Sequence, residues 1–140
     1  MIVLTMQQYG QIVHHALQGF PNEACGLLAG EKEGGSKVVK KVYLLDNQDQ
    51  SPTHFSISPA QQLEAVRDMR RLGYVPLGNF HSHPETPSRP SEEDKRLALD
   101  PQASYLILSR ANKEEPVLKS FSIEGQRSAE EILIILPAGA

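Results

Sequence analysis

The sequence GNFHSHPETPSRPSEEDKRLA, residues 78–98, constrains the fold more than any other stretch of this chain. Its middle part, PETPSRP, holds three prolines in seven residues, and proline has no N–H to donate to a neighbouring strand. An extended segment that enters this loop must therefore end there. Pro90 favours an extended conformation of Arg89, and Ser91 can then cap a helix that runs to about Leu99. The stretch predicts a strand end, a stiff loop and a helix start.

Two histidines close the predicted strand, and an aspartate lies in the first turn of the predicted helix. Residues i and i+2 of a strand point to the same face, so His81 and His83 project together. Taken alone, Ser91 and Asp94 at this spacing indicate only a helix cap with a favourable acid, and an isolated His-x-His is weak evidence for a metal. Taken together, two imidazoles, a rigid return loop and a carboxylate supply the three protein ligands of a catalytic zinc.

Outside this stretch, helical and strand patterns alternate along the chain. Apolar residues at helical spacing over residues 6–17 predict a helix, with Thr5 as its cap and Gly19 as its end. Ser58 and the proline after it start a second helix, which runs to Gly73. The segments predicted as strands are ACGLLAG, SKVVKKVYLL, THFSI, YVPLGNFHSH (with Pro76 at an irregular or edge position), SYLILS, PVLKSFSI and EEILIIL. This order predicts an α/β (α+β) fold, a mixed β-sheet flanked by helices.

Composition restricts the partners and the compartment. The 140 residues are expected to form one domain, residues 1–140. The net charge of −3 offers no basic field to nucleic acid or to a membrane surface. The start of the chain does not resemble a signal peptide, and the longest apolar run, residues 132–137, is too short to span a bilayer. The single cysteine, Cys25, excludes an internal disulfide, and a soluble cytoplasmic protein is expected.

A metal-bound water needs a base, and Glu23 is the candidate. It stands in PNEACGLLAG, immediately before an apolar strand and not on a polar helical face. A loop carboxylate at a strand start is the alternative interpretation, and residue patterns alone do not choose between the two. His14 and His15 lie off the apolar stripe of the first helix and are predicted to be solvated, His54 receives no role, and Cys25 is predicted to be a buried core residue and not a nucleophile.

The spacing of these residues resembles the JAMM (MPN-plus) zinc metalloprotease family. The family pattern is an upstream glutamate, then His-x-His, seven residues, Ser, two residues and Asp. Here Glu23, His81, His83, Ser91 and Asp94 fill every position. HSHP, RPS and NEACGLLAG also match the usual surroundings of the motif. The resemblance implies one JAMM/MPN domain with a curved sheet and a core at about residues 5–125.

The resemblance also implies the role of each residue. His81, His83 and Asp94 would bind one Zn²⁺ and leave the fourth position to water. Glu23 would be the general base, which takes a proton from that water and passes it to the leaving amine. Ser91 would hydrogen-bond the oxygen that becomes negative. The chemistry agrees, because zinc lowers the pKa of bound water and a positioned donor stabilises an oxyanion.

The chain has no spare length for insertions and resembles the compact prokaryotic branch, the sulfur-carrier-protein peptidases of the CysO-cysteine type. This implies a small β-grasp ubiquitin-like or sulfur-carrier protein as substrate, cut after its C-terminal Gly-Gly at a peptide or isopeptide bond. Two alternatives stand beside it. A non-catalytic MPN-type scaffold usually lacks some of these residues, and RadC-like relatives usually read HNHPSG where this chain reads HSHPET. The sequence leaves open the substrate protein, movement of the Pro84–Pro90 loop and the oligomeric state, a dimer included.

Overall fold

The computed structural model describes residues 1–137, which form one mixed sheet and the helices that pack on it. In chain order the elements are β1 (Ile2–Thr5), α1 (Met6–Gly19), β2 (Cys25–Glu33), β3 (Ser36–Leu45), α2 (Pro59–Leu72), β4 (Val75–His83), α3 (Glu92–Leu97), β5 (Ser104–Ser109), β6 (Val117–Glu124), β7 (Arg127–Glu131) and β8 (Leu133–Leu136). The strand order in the sheet is β7-β6-β5-β4-β2-β3-β1-β8. The predicted fold class is confirmed.

The sheet curves until its two ends approach each other. Only Ile132 separates β7 from β8 in sequence, yet these strands lie at opposite ends of the strand order. β7 pairs antiparallel with β6, and β8 pairs parallel with β1. A single residue can connect the two edges only if the sheet is nearly closed on itself.

The core lies on both faces of this sheet because successive strand residues point in opposite directions. Leu28 of β2 faces α1 and packs in a cluster with Ile12 and Ala16 of that helix. The next residue, Ala29, packs on the other face with Met69 of α2. A third buried cluster, on β5 and β6, lies beside α3 and consists of Tyr105, Ile107, Phe121 and Ile123. One face is therefore covered by α1, and the other carries α2.

The predicted starts of the helices α1 and α2 are confirmed in atomic detail. The Thr5 hydroxyl accepts from the Gln8 N–H at 3.1 Å, while the Gln8 side chain accepts from the Thr5 N–H at 2.9 Å. Ser58 Oγ accepts from the Gln61 N–H at 3.1 Å. The second helix ends at Gly73, whose φ of 76° lies in the left-handed region that glycine adopts without strain.

Several element predictions are wrong. THFSI, residues 53–57, forms no strand, because its backbone hydrogen-bonds within its own loop and not to the sheet. EEILIIL is split at Ile132 into two strands with different neighbours, a change that an apolar run does not signal. The third helix ends at Leu97, since Ala98 is extended. The strand β1 was not predicted. Pro76 is irregularly paired as expected, but its strand is central and not an edge.

Among the described residues, no helix combines the length and the apolar character needed to cross a membrane.

Candidate metal centre

His81 and His83 end the central strand β4 and project to the same face, as their spacing predicts. Both are buried, at 3% and 5% relative exposure. Parallel pairing with β5 places His81 opposite Ile107 and His83 opposite Ser109. Ser82 lies between them, and its hydroxyl accepts from the Ala24 N–H at 2.8 Å. The strand pairing thus fixes the two imidazoles before any ligand binds.

The Pro-rich loop is fastened to β5 by two hydroxyl groups that the sequence analysis did not single out. Ser88 Oγ donates to the Ile107 carbonyl at 2.7 Å, and Ser109 Oγ donates to the Thr86 carbonyl at 2.7 Å. The loop therefore returns the chain to a defined point, where α3 begins.

Ser91 and Asp94 form a reciprocal capping box at the start of α3. Asp94 N–H donates to Ser91 Oγ at 3.0 Å, and Ser91 N–H donates to Asp94 Oδ2 at 2.9 Å. The capping interpretation is therefore confirmed. It does not compete with a ligand role, since Asp94 Oδ2 also faces both imidazoles. Capping uses only a lone pair of Ser91 Oγ and leaves its proton free.

Three donor atoms form a nearly equilateral triangle. His81 Nε2 and His83 Nε2 are 3.1 Å apart, and each lies 3.2 Å from Asp94 Oδ2. A tetrahedral zinc centre with bonds of about 2.0–2.1 Å has donor–donor edges of about 3.3 Å. Without a cation, the two imidazoles cannot both donate to the carboxylate without turning two N–H groups towards each other. The triangle fits a metal ion better than a proton network.

The hydrogen bonding of the histidine rings supports the same conclusion. The Pro87 carbonyl can only accept, so His83 Nδ1, 2.9 Å away, carries a proton and Nε2 is the ring atom that can bind a metal. In the metal-free site burial lowers the pKa of His83, but the Asp94 carboxylate and the Pro87 carbonyl outweigh burial and raise it. Burial lowers the pKa of His81 despite the nearby Asp94 carboxylate. Burial opposes ionisation of Asp94, but the two histidine rings that face its carboxylate and the Ser91 N–H outweigh burial and hold the Asp94 pKa well below its usual range. A neutral imidazole and an ionised carboxylate are the forms that bind metal.

Glu23 lies beside these groups with an unsatisfied oxygen. It is 5% exposed, and its Oε1 has no hydrogen-bond partner among residues 1–137. Burial raises the pKa of Glu23 to about 8; the charge of His83 opposes this, and those of Asp94 and Glu93 add to it. A buried carboxyl group with a raised pKa next to a metal site is typical of a proton-transferring group. A hollow of about 600 Å³ is lined by Glu23 and Asn47.

The loop between β3 and α2 covers part of the site, and the sequence did not predict this contact. The Phe55 ring stacks on His81 with 4.8 Å between centroids. His54, which received no role, is exposed and lies 3.5 Å from Glu93 Oε1. The residue belongs to the THFSI segment, whose aromatic and β-branched composition suggested a strand and hid its place at the site.

The predictions for His14 and Cys25 agree with the structure, and the prediction for His15 does not. His14 is exposed as predicted. His15 is not simply solvated, because its Nε2 lies 2.8 Å from the Leu45 carbonyl and 3.1 Å from that of Cys25. Cys25 is fully buried as predicted, and burial raises the pKa of its thiol to about 12, which favours the unreactive neutral form.

Comparison with known proteins identifies the family. Residues 6–124 match the model of Prok-JAB, prokaryotic homologues of the JAB domain. The CysO-cysteine peptidase of Mycobacterium tuberculosis is 32% identical over 93% of this chain and 88% of its own length. A desampylase of Haloferax volcanii is 30% identical over 70% of this chain and 73% of its own length. The solution structure of protein DSY2949 from Desulfitobacterium hafniense superposes with a TM-score of 0.91 at 55% identity, covering 98% of this chain and 94% of the other.

Proposed function

The chain belongs to the Prok-JAB family, and from this premise we propose that it is a zinc-dependent peptidase that cuts after the C-terminal Gly-Gly of a small ubiquitin-like or sulfur-carrier protein. The observation that carries the proposal is the triangle of His81, His83 and Asp94 donor atoms beside the buried, unpaired Glu23 carboxyl. Two relatives of this chain are named as a peptidase and as a probable protease. The shape of the site supports the same class of reaction here.

The residues of the chain divide the work of hydrolysis. His81, His83 and Asp94 would hold the ion, which supplies Lewis acidity and an acidified water when bound. Glu23 accepts a proton on its free Oε1 and later returns it to the leaving amine, a role that a carboxyl group with a pKa near neutrality performs well. Ser91 Oγ acts as an acceptor when it caps α3, so its O–H remains able to donate a hydrogen bond to the developing oxyanion.

The substrate assignment rests on the relatives and on the space at the site. One relative, from Mycobacterium tuberculosis, is named a CysO-cysteine peptidase, and another, from Thermus thermophilus, is named a probable TtuB-protein conjugate cleaving protease. Phe55 packs on the His81 ring, and the Pro87 carbonyl of the Pro-rich loop lies against His83 Nδ1, so two loops flank the centre. A flexible tail of small residues can enter such a site where a folded domain cannot.

The test is an intact-mass assay on a sulfur-carrier protein from the same organism, extended by one or more residues beyond its Gly-Gly end. We expect loss of the extension, inhibition by a chelator and recovery on addition of zinc. Metal content measured in parallel should be one zinc per chain. Asp94→Ala should lose or strongly weaken zinc binding, whereas Asp100→Ala, which removes an exposed acid outside the site, should not.

The outcomes separate the alternatives. Unchanged mass with zinc bound would reject this substrate class but keep the metal centre. Unchanged mass without zinc binding would favour the non-catalytic scaffold. A normal zinc content in Asp94→Ala would remove that residue from the ligand set.

A further inference from the structure

The irregular loop over the site is organised around one side chain, that of Asn47. Its Nδ2 donates to the His54 carbonyl at 3.0 Å and lies 3.5 Å from the Ser51 carbonyl. Its Oδ1 accepts from the Asp49 N–H at 3.0 Å and from the Ser56 N–H at 3.2 Å. A half-buried amide with so many backbone partners determines the path of a loop that has no ladder of its own.

The same amide also leaves the loop and holds the residue that carries the free carboxyl group. Asn47 Nδ2 donates to the main-chain carbonyl of Glu23 at 2.9 Å. The Glu23 N–H donates to the Ser51 carbonyl at 2.8 Å, and the following N–H, that of Ala24, donates to Ser82 Oγ. Because Glu23 Oε1 has no partner of its own, the backbone at this point sets where the carboxyl group lies.

The loop held by Asn47 carries a second contact to the site. His54 and Ser56, whose backbone groups bind Asn47, flank Phe55, and the Phe55 ring stacks on His81. One side chain therefore ties the main chain of Glu23 to the segment that packs against one of the histidines. Displacement of Asn47 would change the distance between the carboxyl group and the metal centre.

We infer that Asn47 is a positioning residue for Glu23, and that its amide N–H to the Glu23 carbonyl holds the base against the His81–His83–Asp94 centre. The inference rests on the proposed function for its catalytic consequence, but the structural restraint on Glu23 can be measured without any substrate. Displacement of a catalytic group by about 1 Å can cost about a hundredfold in rate.

Asn47→Asp is the informative variant. The replacement is isosteric and keeps an oxygen for the Asp49 and Ser56 N–H groups, but it cannot donate to the Glu23 carbonyl or to the His54 carbonyl. Asn112→Asp is the matched control, since Asn112 Oδ1 likewise accepts a nearby N–H, from Glu114 at 3.1 Å, in the loop after β5. Asn47→Ala removes both the Nδ2 donor and the Oδ1 acceptor without adding a charge.

The first measurement is turnover on the alkaline plateau of the pH profile. Glu23 is ionised there, so the charge added by Asn47→Asp cannot lower turnover by shifting the Glu23 pKa. For Asn47→Asp and Asn47→Ala we expect kcat to fall by about tenfold to a hundredfold, with KM within about twofold and zinc content unchanged. Asn112→Asp should match the wild type. A wild-type kcat in both Asn47 variants would overturn the inference, as would a loss explained by lost zinc.

The second measurement is amide hydrogen exchange at Glu23 in the zinc-free protein. Exchange of this N–H should be at least about tenfold faster in Asn47→Asp than in Asn112→Asp, because the pairing with Ser51 loosens when the Glu23 carbonyl is released. Equal rates would reject the restraint. If the wild type cuts no carrier protein, the proposed function fails, and the exchange rates alone decide whether Asn47 positions Glu23.

Discussion

Two partly buried clusters of polar groups within residues 1–137 differ in how their hydrogen bonds are satisfied. The closure cluster, Lys37, Ser104, Ser120 and Glu131, lies where β7 meets the far side of the sheet. There the Lys37 ammonium donates to Ser104 Oγ at 2.8 Å, and both serine hydroxyls donate to Glu131 Oε1, at 2.6 and 2.7 Å. The metal cluster, His81, His83, Asp94 and Glu23, leaves Glu23 Oε1 and His81 Nδ1 without partners among the described residues.

The two glutamates show what this difference means. Both lose water on folding, which raises a carboxyl pKa. In Glu131 the hydroxyl donors and Lys37 outweigh that loss, and its pKa falls below the ordinary value. In Glu23 only the charge of His83 opposes that loss of water, no hydroxyl or lysine donor does, and the pKa rises to about 8. The satisfied cluster stabilises the fold, whereas the unsatisfied cluster keeps its groups free for a ligand and a proton.

The largest expected difference between the two clusters is in the turnover of Glu23→Gln and Glu131→Gln. For Glu23→Gln we expect turnover to fall by about 10³-fold or more, because an amide cannot accept the proton, with zinc content unchanged. The measurement is kcat on the extended carrier protein, with Glu131→Gln as the control that keeps wild-type turnover. Substantial turnover by Glu23→Gln would remove it as the base.

Ser91→Ala tests whether the capping residue has a second role. We expect turnover to fall by about 10²-fold with zinc retained, since one donor to the oxyanion is lost. Ser58→Ala is the matched control, because Ser58 Oγ caps α2 by accepting from the N–H three residues later, as Ser91 Oγ does in α3. It should cost about 1 kcal/mol of unfolding free energy and leave turnover unchanged. Equal turnover in the two variants would make Ser91 a cap alone.

The raised pKa of Glu23 predicts a pH-dependent cost in the zinc-free protein. Because the folded state binds the proton more tightly, the stability it contributes is complete below the unfolded pKa, about 4.5, and is lost as pH rises through about 8. Glu23→Gln cannot ionise, so with chelator present it should exceed the wild type in unfolding free energy by about 5 kcal/mol above pH 8, since one pKa unit corresponds to about 1.4 kcal/mol. The excess should vanish below pH 4.5, as measured by denaturant titration. A flat difference across this range contradicts the prediction.

Glu131→Gln should act in the opposite sense. We expect it to lower the unfolding free energy at neutral pH by about 2 kcal/mol, because hydrogen bonds to an ionised carboxylate are weakened. The folded pKa is depressed, so the wild-type advantage is present above the unfolded pKa and shrinks as pH falls below it. Glu130→Gln removes only an exposed pair with Lys119 at 3.8 Å and should change stability little.

Local chemistry in the sequence predicted much of this protein. Proline and serine at helix starts identified the beginnings of α2 and α3, and period-two spacing placed His81 and His83 on one face. These features are set by residues within one or two turns of each other, so no partner is needed to interpret them. The capping box at Ser91 and Asp94 followed from the same local rule.

Only the tertiary structure decided which distant segments meet. No pattern in EEILIIL signals that the chain changes edges at Ile132, because both strands are apolar enough to pair and the neighbour of each is chosen by sheet closure. THFSI has the composition of a strand, but the Asn47 side chain hydrogen-bonds the backbone of His54 and Ser56 in place of a neighbouring strand. Phe55, between them, packs on His81. Glu23 and Glu131 are the same residue type, and their pKa values shift in opposite directions. Folding places two serine hydroxyl groups beside Glu131 and none beside Glu23 Oε1. Burial and hydrogen-bond supply depend on all the surrounding elements at once, and a linear pattern does not contain them.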